Sequence, residues 1–187
     1  YKREKENIMK KLKKLFAVML SLIMVLAMGI TSFADEAAPT ATITVNGLDK
    51  NATVTYKQII RPNTKTETGW EFVNPADIAA FGAYDEQTVI WKLIKMVSGN
   101  AAVTNMPAGT TAFSTSEYQE AVGKISTSNT AGVTYTTTDP KSASWSVSSA
   151  GVYVVNANSE KEDGEATAYT YAPMAAYISF GSYNTET

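Results

Sequence analysis

Alternating apolar and polar residues mark the first two predicted elements of the chain. Residues 40–45 alternate Ile and Val with threonine, and residues 52–60 repeat this pattern with Val, Tyr and Ile. A period of two is typical of half-buried β-strands. The second segment places Tyr56 on one face and Lys57 on the other. Turn-forming residues separate the two segments, so we expect an antiparallel hairpin.

Helical spacing replaces this alternation in the middle of the chain. Asn74 before a proline predicts a short helix ending near residue 81, and Asp85 caps a longer one ending near residue 97. Ser114 and Glu117 have the spacing of a capping box, which predicts a third helix over residues 115–126. We therefore expect helices within 74–97 and 115–126.

Beyond residue 127 the pattern returns to short runs rich in Val, Tyr and Thr. The predicted strands are residues 132–136, 144–147, 151–155 and 174–180. Residues 151–155 are apolar on both faces, which is typical of a central strand. Together these patterns predict a mainly β fold with helical insertions, arranged as a β-sandwich.

The N-terminal segment has the organisation of a secretory signal peptide over residues 9–34. Lysines precede about twenty mostly apolar residues, and small residues stand at Ser32 and Ala34. We expect cleavage between Ala34 and Asp35. An uncleaved membrane-spanning helix is the alternative, because such helices need about 20 apolar residues. Residues 1–8 precede Met9 and are interpreted as a translated leader.

Cleavage changes the size and charge of the expected product. Removing 34 of the 187 residues leaves a single domain of 153, interpreted as truncated at its C-terminal end. Seven of the 16 Lys and Arg and two of the 18 Asp and Glu lie in the removed segment, so the net charge becomes −7. This acidic balance excludes nucleic acid as an expected partner. Contact with membrane is expected only transiently, through the signal peptide.

The absence of two residue types narrows the chemistry further. The chain has no Cys and no His, which excludes disulfides, thiolate nucleophiles, Cys/His zinc sites and imidazole catalysis. We therefore expect no cofactor, no metal and no enzymatic activity. About 150 residues suffice to bury one core without such help.

Three further sets of residues have a chemical and a structural interpretation. The acidic residues 160–165 can be read as a calcium loop or as a solvated hairpin, and their order favours the hairpin. Glu117 and Glu120 resemble a glycosidase pair, but capping and solvent roles on one helix explain them better. Three aromatic residues form either a sugar-stacking surface or part of the core, and the core is favoured: Trp70, Trp91 and Trp145.

Several segments resemble the N-terminal domain of sortase-assembled backbone pilins, the fimbrial shaft subunits of Gram-positive bacteria. They are ATITVNGLD at 41–49, VTYKQII at 54–60, GVYVV at 151–155 and YAPMAAYISF at 171–180. The resemblance implies an immunoglobulin-like β-sandwich, export to the cell surface, and polymerisation by a sortase with other pilin subunits. Neither Leu-Pro-x-Thr-Gly nor Tyr-Pro-Lys occurs in the 187 residues. Reading the chain as a fragment places both motifs beyond Thr187.

The resemblance also implies a candidate internal amide between Lys57 and Asn184. Such a bond needs a neutral lysine, which burial favours, and the alternative is a solvated Lys57 beside a frayed terminus. The expected function is a non-catalytic structural subunit of a cell-surface fimbria, secreted and attached to the cell wall. The alternative is a secreted adhesin or carbohydrate-binding module of the same architecture, with a host or glycan ligand.

Overall fold

The structure is a computed structural model that describes residues 23–27, 40–48, 52–99, 103, 105–131, 133–134, 141–159 and 171–180. Within these ranges the fold is mainly β with a few helices, as the sequence predicts. The strands are β1 Ile23–Ala27, β2 Ala41–Leu48, β3 Ala52–Pro62, β4 Trp70–Phe72, β5 Asn129–Ala131, β6 Val133–Thr134, β7 Lys141–Val147, β8 Gly151–Ser159 and β9 Met174–Ile178. The helices are a 3₁₀ helix Pro75–Phe81, α1 Glu86–Val97 and α2 Thr115–Gly123.

These strands form two sheets in which every described pair is antiparallel. The first sheet has the order β1-β2-β7-β6, and the second has the order β4-β3-β8-β9 with β5 also paired to β3. β8 lies between β3 and β9, so the prediction of a central strand at residues 151–155 is confirmed.

The predicted hairpin of the first two strands is wrong, because β2 and β3 lie in different sheets. β2 pairs with β1 and β7, whereas β3 pairs with β4, β5 and β8. The register of β2 shifts between Val45 and Leu48, where Gly47 has a φ of 77°. Val45 and Val54 nevertheless belong to one apolar cluster. The alternating pattern identified which face of each strand is buried. It does not show whether another strand lies next to it in the same sheet or in the sheet across the core.

The two sheets pack against each other through that cluster. It joins Val45 and Ala143 of the first sheet to Val54 and Val155 of the second, all of them 0% exposed. Tyr56 stacks on Trp145 across the same interface, with ring centroids 4.6 Å apart. Burial of apolar surface at about 25 cal/mol per Å² is the main stabilising contribution here.

The opposite face of the second sheet is covered by the helices. α1 contacts β4 and β9, and α2 contacts β9 and the 3₁₀ helix. Consequently β8 is apolar and buried on both of its faces from Val152 to Val155. A register shift in β3 between Gln58 and Ile60 allows both Ile59 and Ile60 to be fully buried.

Helix boundaries follow the predicted capping residues. The side chain of Asn74 accepts a hydrogen bond from the Ala76 N–H, and that of Asp85 accepts one from the Thr88 N–H. Ser114 and Glu117 form both hydrogen bonds of the capping box. All three predicted helix starts are therefore confirmed.

β1 lies inside the segment predicted to be a signal peptide, where it pairs with β2 over five residues. The cleavage position between Ala34 and Asp35 lies outside the described residues, as do residues 1–22. In the described part of the chain, no helix has the length and apolar character needed to cross a membrane. Cleavage of this segment stays a prediction.

Candidate functional site

Lys57 is the sequence-predicted site residue whose surroundings are best defined. It lies on β3, on the face that turns away from the Tyr56–Trp145 stack and toward the 3₁₀ helix. Its Nζ donates hydrogen bonds of 2.9 and 2.7 Å to Oδ1 and Oδ2 of Asp77. The Lys57 side chain is 21% exposed and that of Asp77 is 11% exposed. The lysine is thus neither solvated nor surrounded only by apolar groups.

The structure brings Lys57 together with Asp77, whereas Asn184 lies outside the described residues. The amide between Lys57 and Asn184 therefore stays a prediction. The ion pair fastens the 3₁₀ helix to the second sheet. The sequence predicts that Asp77 belongs to the helix, but it does not predict the contact with Lys57. The two residues are 20 positions apart, which is too far for a contact within one helix or hairpin turn. An isolated Lys on a strand otherwise rich in Val, Ile and Tyr was the available signal that an acidic partner was needed.

A second candidate site is an open cleft of about 490 Å³ between the end of α2 and β8. Its walls include Thr55, Asn156, Asn158 and Tyr171. Three of the polar side chains that line it already take part in hydrogen bonds with other residues of the cleft: Thr55, Thr127 and Asn156. The Asn156 side chain donates to the Ile125 carbonyl at 3.3 Å, and Thr55 and Thr127 share a hydrogen bond. These bonds hold the segment that follows α2 against the sheet, so ligand binding there would compete with them.

The tryptophans contribute to the core, as predicted. Trp70 and Trp91 are 8% and 6% exposed, and both belong to the larger apolar cluster. Trp145 is half-buried beneath Tyr56. The three rings lie in β4, α1 and β7, which do not form a common exposed surface for sugar stacking.

Glu117 and Glu120 have structural partners. Glu117 accepts hydrogen bonds from the Ser114 hydroxyl and N–H at 2.6 and 2.9 Å, which lower the pKa of its carboxyl. Glu120 accepts a 2.7 Å hydrogen bond from Lys124, which lowers its pKa as well. Glu117 therefore caps α2, and Glu120 is an exposed residue paired with Lys124, as the structural interpretation predicts.

The predicted acidic loop at residues 160–165 lies outside the described residues. Among the residues that the structure describes, no three Asp, Glu, His or Cys side chains are grouped closely enough to hold a metal ion. The calcium and hairpin interpretations of that loop therefore both stay predictions.

One close contact at the start of β8 is not predicted by the sequence. Gly151 has a φ of 139°, and a Cβ at this position would overlap the Ile60 carbonyl and approach Gln58 Nε2 to 2.9 Å. Gln58 Nε2 donates to the Ala150 carbonyl at 2.8 Å and to Ser149 Oγ at 3.1 Å. In the sequence, Ser-Ser-Ala-Gly before an apolar run predicts a turn, but it does not predict the close approach of Gly151 to Ile60.

Comparisons with known proteins identify no family for this chain. No protein-family model, no curated protein and no solved structure matches the chain.

Proposed function

We propose that this protein is a non-catalytic structural subunit of a bacterial cell-surface fimbria. On this proposal the double-sheet arrangement is an immunoglobulin-like sandwich of the pilin N-terminal type. The protein is exported by its signal peptide, joined to further subunits by a sortase, and attached to the cell wall of a Gram-positive bacterium.

The observation that carries this proposal is that polar side chains of the described fold have structural partners. Lys57, Asp77, Glu117 and Gln58 all bind groups that hold one element to another or cap a helix. Such bonds, together with a core that runs from the first sheet through the second to the helices, suit a domain that bears load. The sequence segments that resemble backbone pilins add the assembly chemistry.

The test is covalent assembly by the complete gene. We expect expression with its sortase to give a ladder of products that survives boiling in detergent. A strain that lacks the sortase is the matched control, and should give monomer alone. Monomer in both strains, from a protein that reaches the surface, would contradict the proposal.

The cleft beside Asn158 and Tyr171 favours the second candidate, a glycan-binding adhesin of the same architecture. Aromatic and amide side chains on one open surface are suited to a sugar. The exported domain would then bind an immobilised glycan saturably, and Asn158→Ala would weaken that binding. Asn129→Ala, at an exposed position on β5, is the control. Absence of saturable binding to a broad glycan panel would exclude this candidate.

A further inference from the structure

One edge of the first sheet is formed by β1, a strand that the mature protein is expected to lack. β1 is antiparallel to β2, with Ile23 opposite Val45, Val25 opposite Ile43 and Ala27 opposite Ala41. It also contacts β9, the edge strand of the second sheet. β1 therefore closes the side of the molecule where the two sheets meet. Cleavage after Ala34 would remove it.

The edge that would be left is long and unprotected. Residues 40–46 contain no charged residue and no proline, the devices that usually prevent strands from pairing at a sheet edge. By contrast, β4 at the edge of the second sheet carries Glu71, which pairs with Arg61. β6, at the far edge of the first sheet, contributes two of the described residues.

Loss of β1 would also remove cover from the core. Ala41, Ile43 and Val45 are 1%, 0% and 0% exposed with β1 in place. Without it, these residues lose the strand paired beside them, and the N–H and C=O groups of β2 on that edge lose their partners. Both losses are reversed when an extended segment binds antiparallel to β2. The occupant seen in the structure indicates the chemistry required, which is aliphatic residues at alternate positions without charge.

We propose that the mature protein accepts, in the position of β1, an apolar strand from a second polypeptide chain. The accepted strand runs antiparallel to β2 and places three aliphatic residues opposite Val45, Ile43 and Ala41. This inference rests on signal-peptide cleavage and goes beyond the fimbrial proposal, because strand acceptance requires no sortase.

The test uses the exported protein and a peptide with the β1 sequence Ile-Met-Val-Leu-Ala, flanked by lysines for solubility. The chain has no cysteine, so one introduced cysteine on each partner reports a single contact. The register places Met24 opposite Thr44 and Leu26 opposite Thr42. Residues opposite each other on antiparallel strands lie about 4.5–5.5 Å apart between Cα atoms, within the range a disulfide spans.

With oxidised glutathione as the oxidant, we expect a peptide with Met24→Cys to form a disulfide with Thr44→Cys protein roughly tenfold more readily than with Thr42→Cys protein. A peptide with Leu26→Cys should show the reverse preference. Equal reaction at both positions, or none, would overturn the proposal.

Hydrogen exchange on the unmodified protein gives a second measurement that does not depend on the cysteine variants. The peptide should slow exchange of β2 amides, whereas a peptide with Ile23→Asp and Val25→Asp should not. Unchanged exchange would overturn the proposal. So would an exported protein that retains residues 23–27, because β1 would then belong to the domain itself. A sortase ladder could still form in either case, so failure here is distinct from failure of the fimbrial proposal.

Discussion

Replacing Lys57 by Met tests whether burial makes the Lys57–Asp77 pair important. Met retains most of the aliphatic stem of lysine and removes the charge, leaving Asp77 without its partner. Breaking a fully buried pair costs about 3–5 kcal/mol, and breaking an exposed pair costs about 0–1 kcal/mol. The side chains here are 21% and 11% exposed. We therefore expect the free energy of unfolding to fall by about 2 kcal/mol, between these limits.

The chain offers a matched control in the Arg61–Glu71 pair. Its N–O distance is 2.6 Å, similar to the 2.7 Å of Lys57–Asp77, but the Arg61 side chain is 52% exposed and that of Glu71 is 26% exposed. Solvent screens this pair, so we expect Arg61→Met to cost at most about 1 kcal/mol. Burial, rather than distance, accounts for the expected difference.

Urea denaturation of the purified protein measures both free energies. A double-mutant cycle with Asp77→Asn then isolates the coupling between Lys57 and Asp77. For a domain of this size, a loss of about 2 kcal/mol lowers Tm by about 4–8 °C. If Lys57→Met costs no more than Arg61→Met, the assignment of a buried pair is wrong. An intact mass lower by one ammonia would instead reveal the amide between Lys57 and Asn184.

Three more predictions concern the close contact at Gly151, the helix cap at Ser114 and the buried phenol of Tyr153. Gly151→Ala should destabilise by about 3 kcal/mol or more, because its Cβ meets the Ile60 carbonyl; Gly123→Ala, near only a proline ring carbon at 3.3 Å, should change stability by less than about 1 kcal/mol. Ser114→Ala should lower the free energy of unfolding by about 1 kcal/mol in urea denaturation, through loss of the cap. Burial raises the pKa of Tyr153 to about 12 from 10.0, so its contribution is present below pH 10 and is lost as pH rises toward 12. Tyr153→Phe should therefore lose less stability between pH 10 and 12 than the unsubstituted protein, and an unchanged loss would contradict this assignment.

Carboxylates give the opposite dependence on pH. Hydrogen bonds lower the pKa of Glu117 from 4.5 and that of Asp85 from 3.8. Their contributions are present above those values and are lost as pH falls through the lowered pKa of each group. Stability should consequently be highest between the acid and alkaline limits.

Local chemistry explains why the helix starts were predictable. Asn74, Asp85 and Ser114 each bind a backbone N–H within the next three residues, so the sequence nearby contains the whole interaction. The central position of β8 was equally accessible, because a strand buried on both faces must be apolar at every position.

Strand partners and the Lys57–Asp77 contact depend on distant parts of the chain. The pairing of β2 with β7 joins residues about a hundred positions apart, and an alternating pattern carries no information about which strand lies alongside. Asp77 reaches Lys57 only because β3 and the 3₁₀ helix pack together in the folded domain. Neither contact is specified by a local rule.

The most direct test of the account is the N-terminal sequence of the protein isolated from the bacterial surface. Export and cleavage underlie both the fimbrial proposal and the acceptance of a strand at β2. We predict a surface-attached product that begins at Asp35. A product that remains in the cytoplasm and retains Ile23–Ala27 as part of its fold would contradict the account.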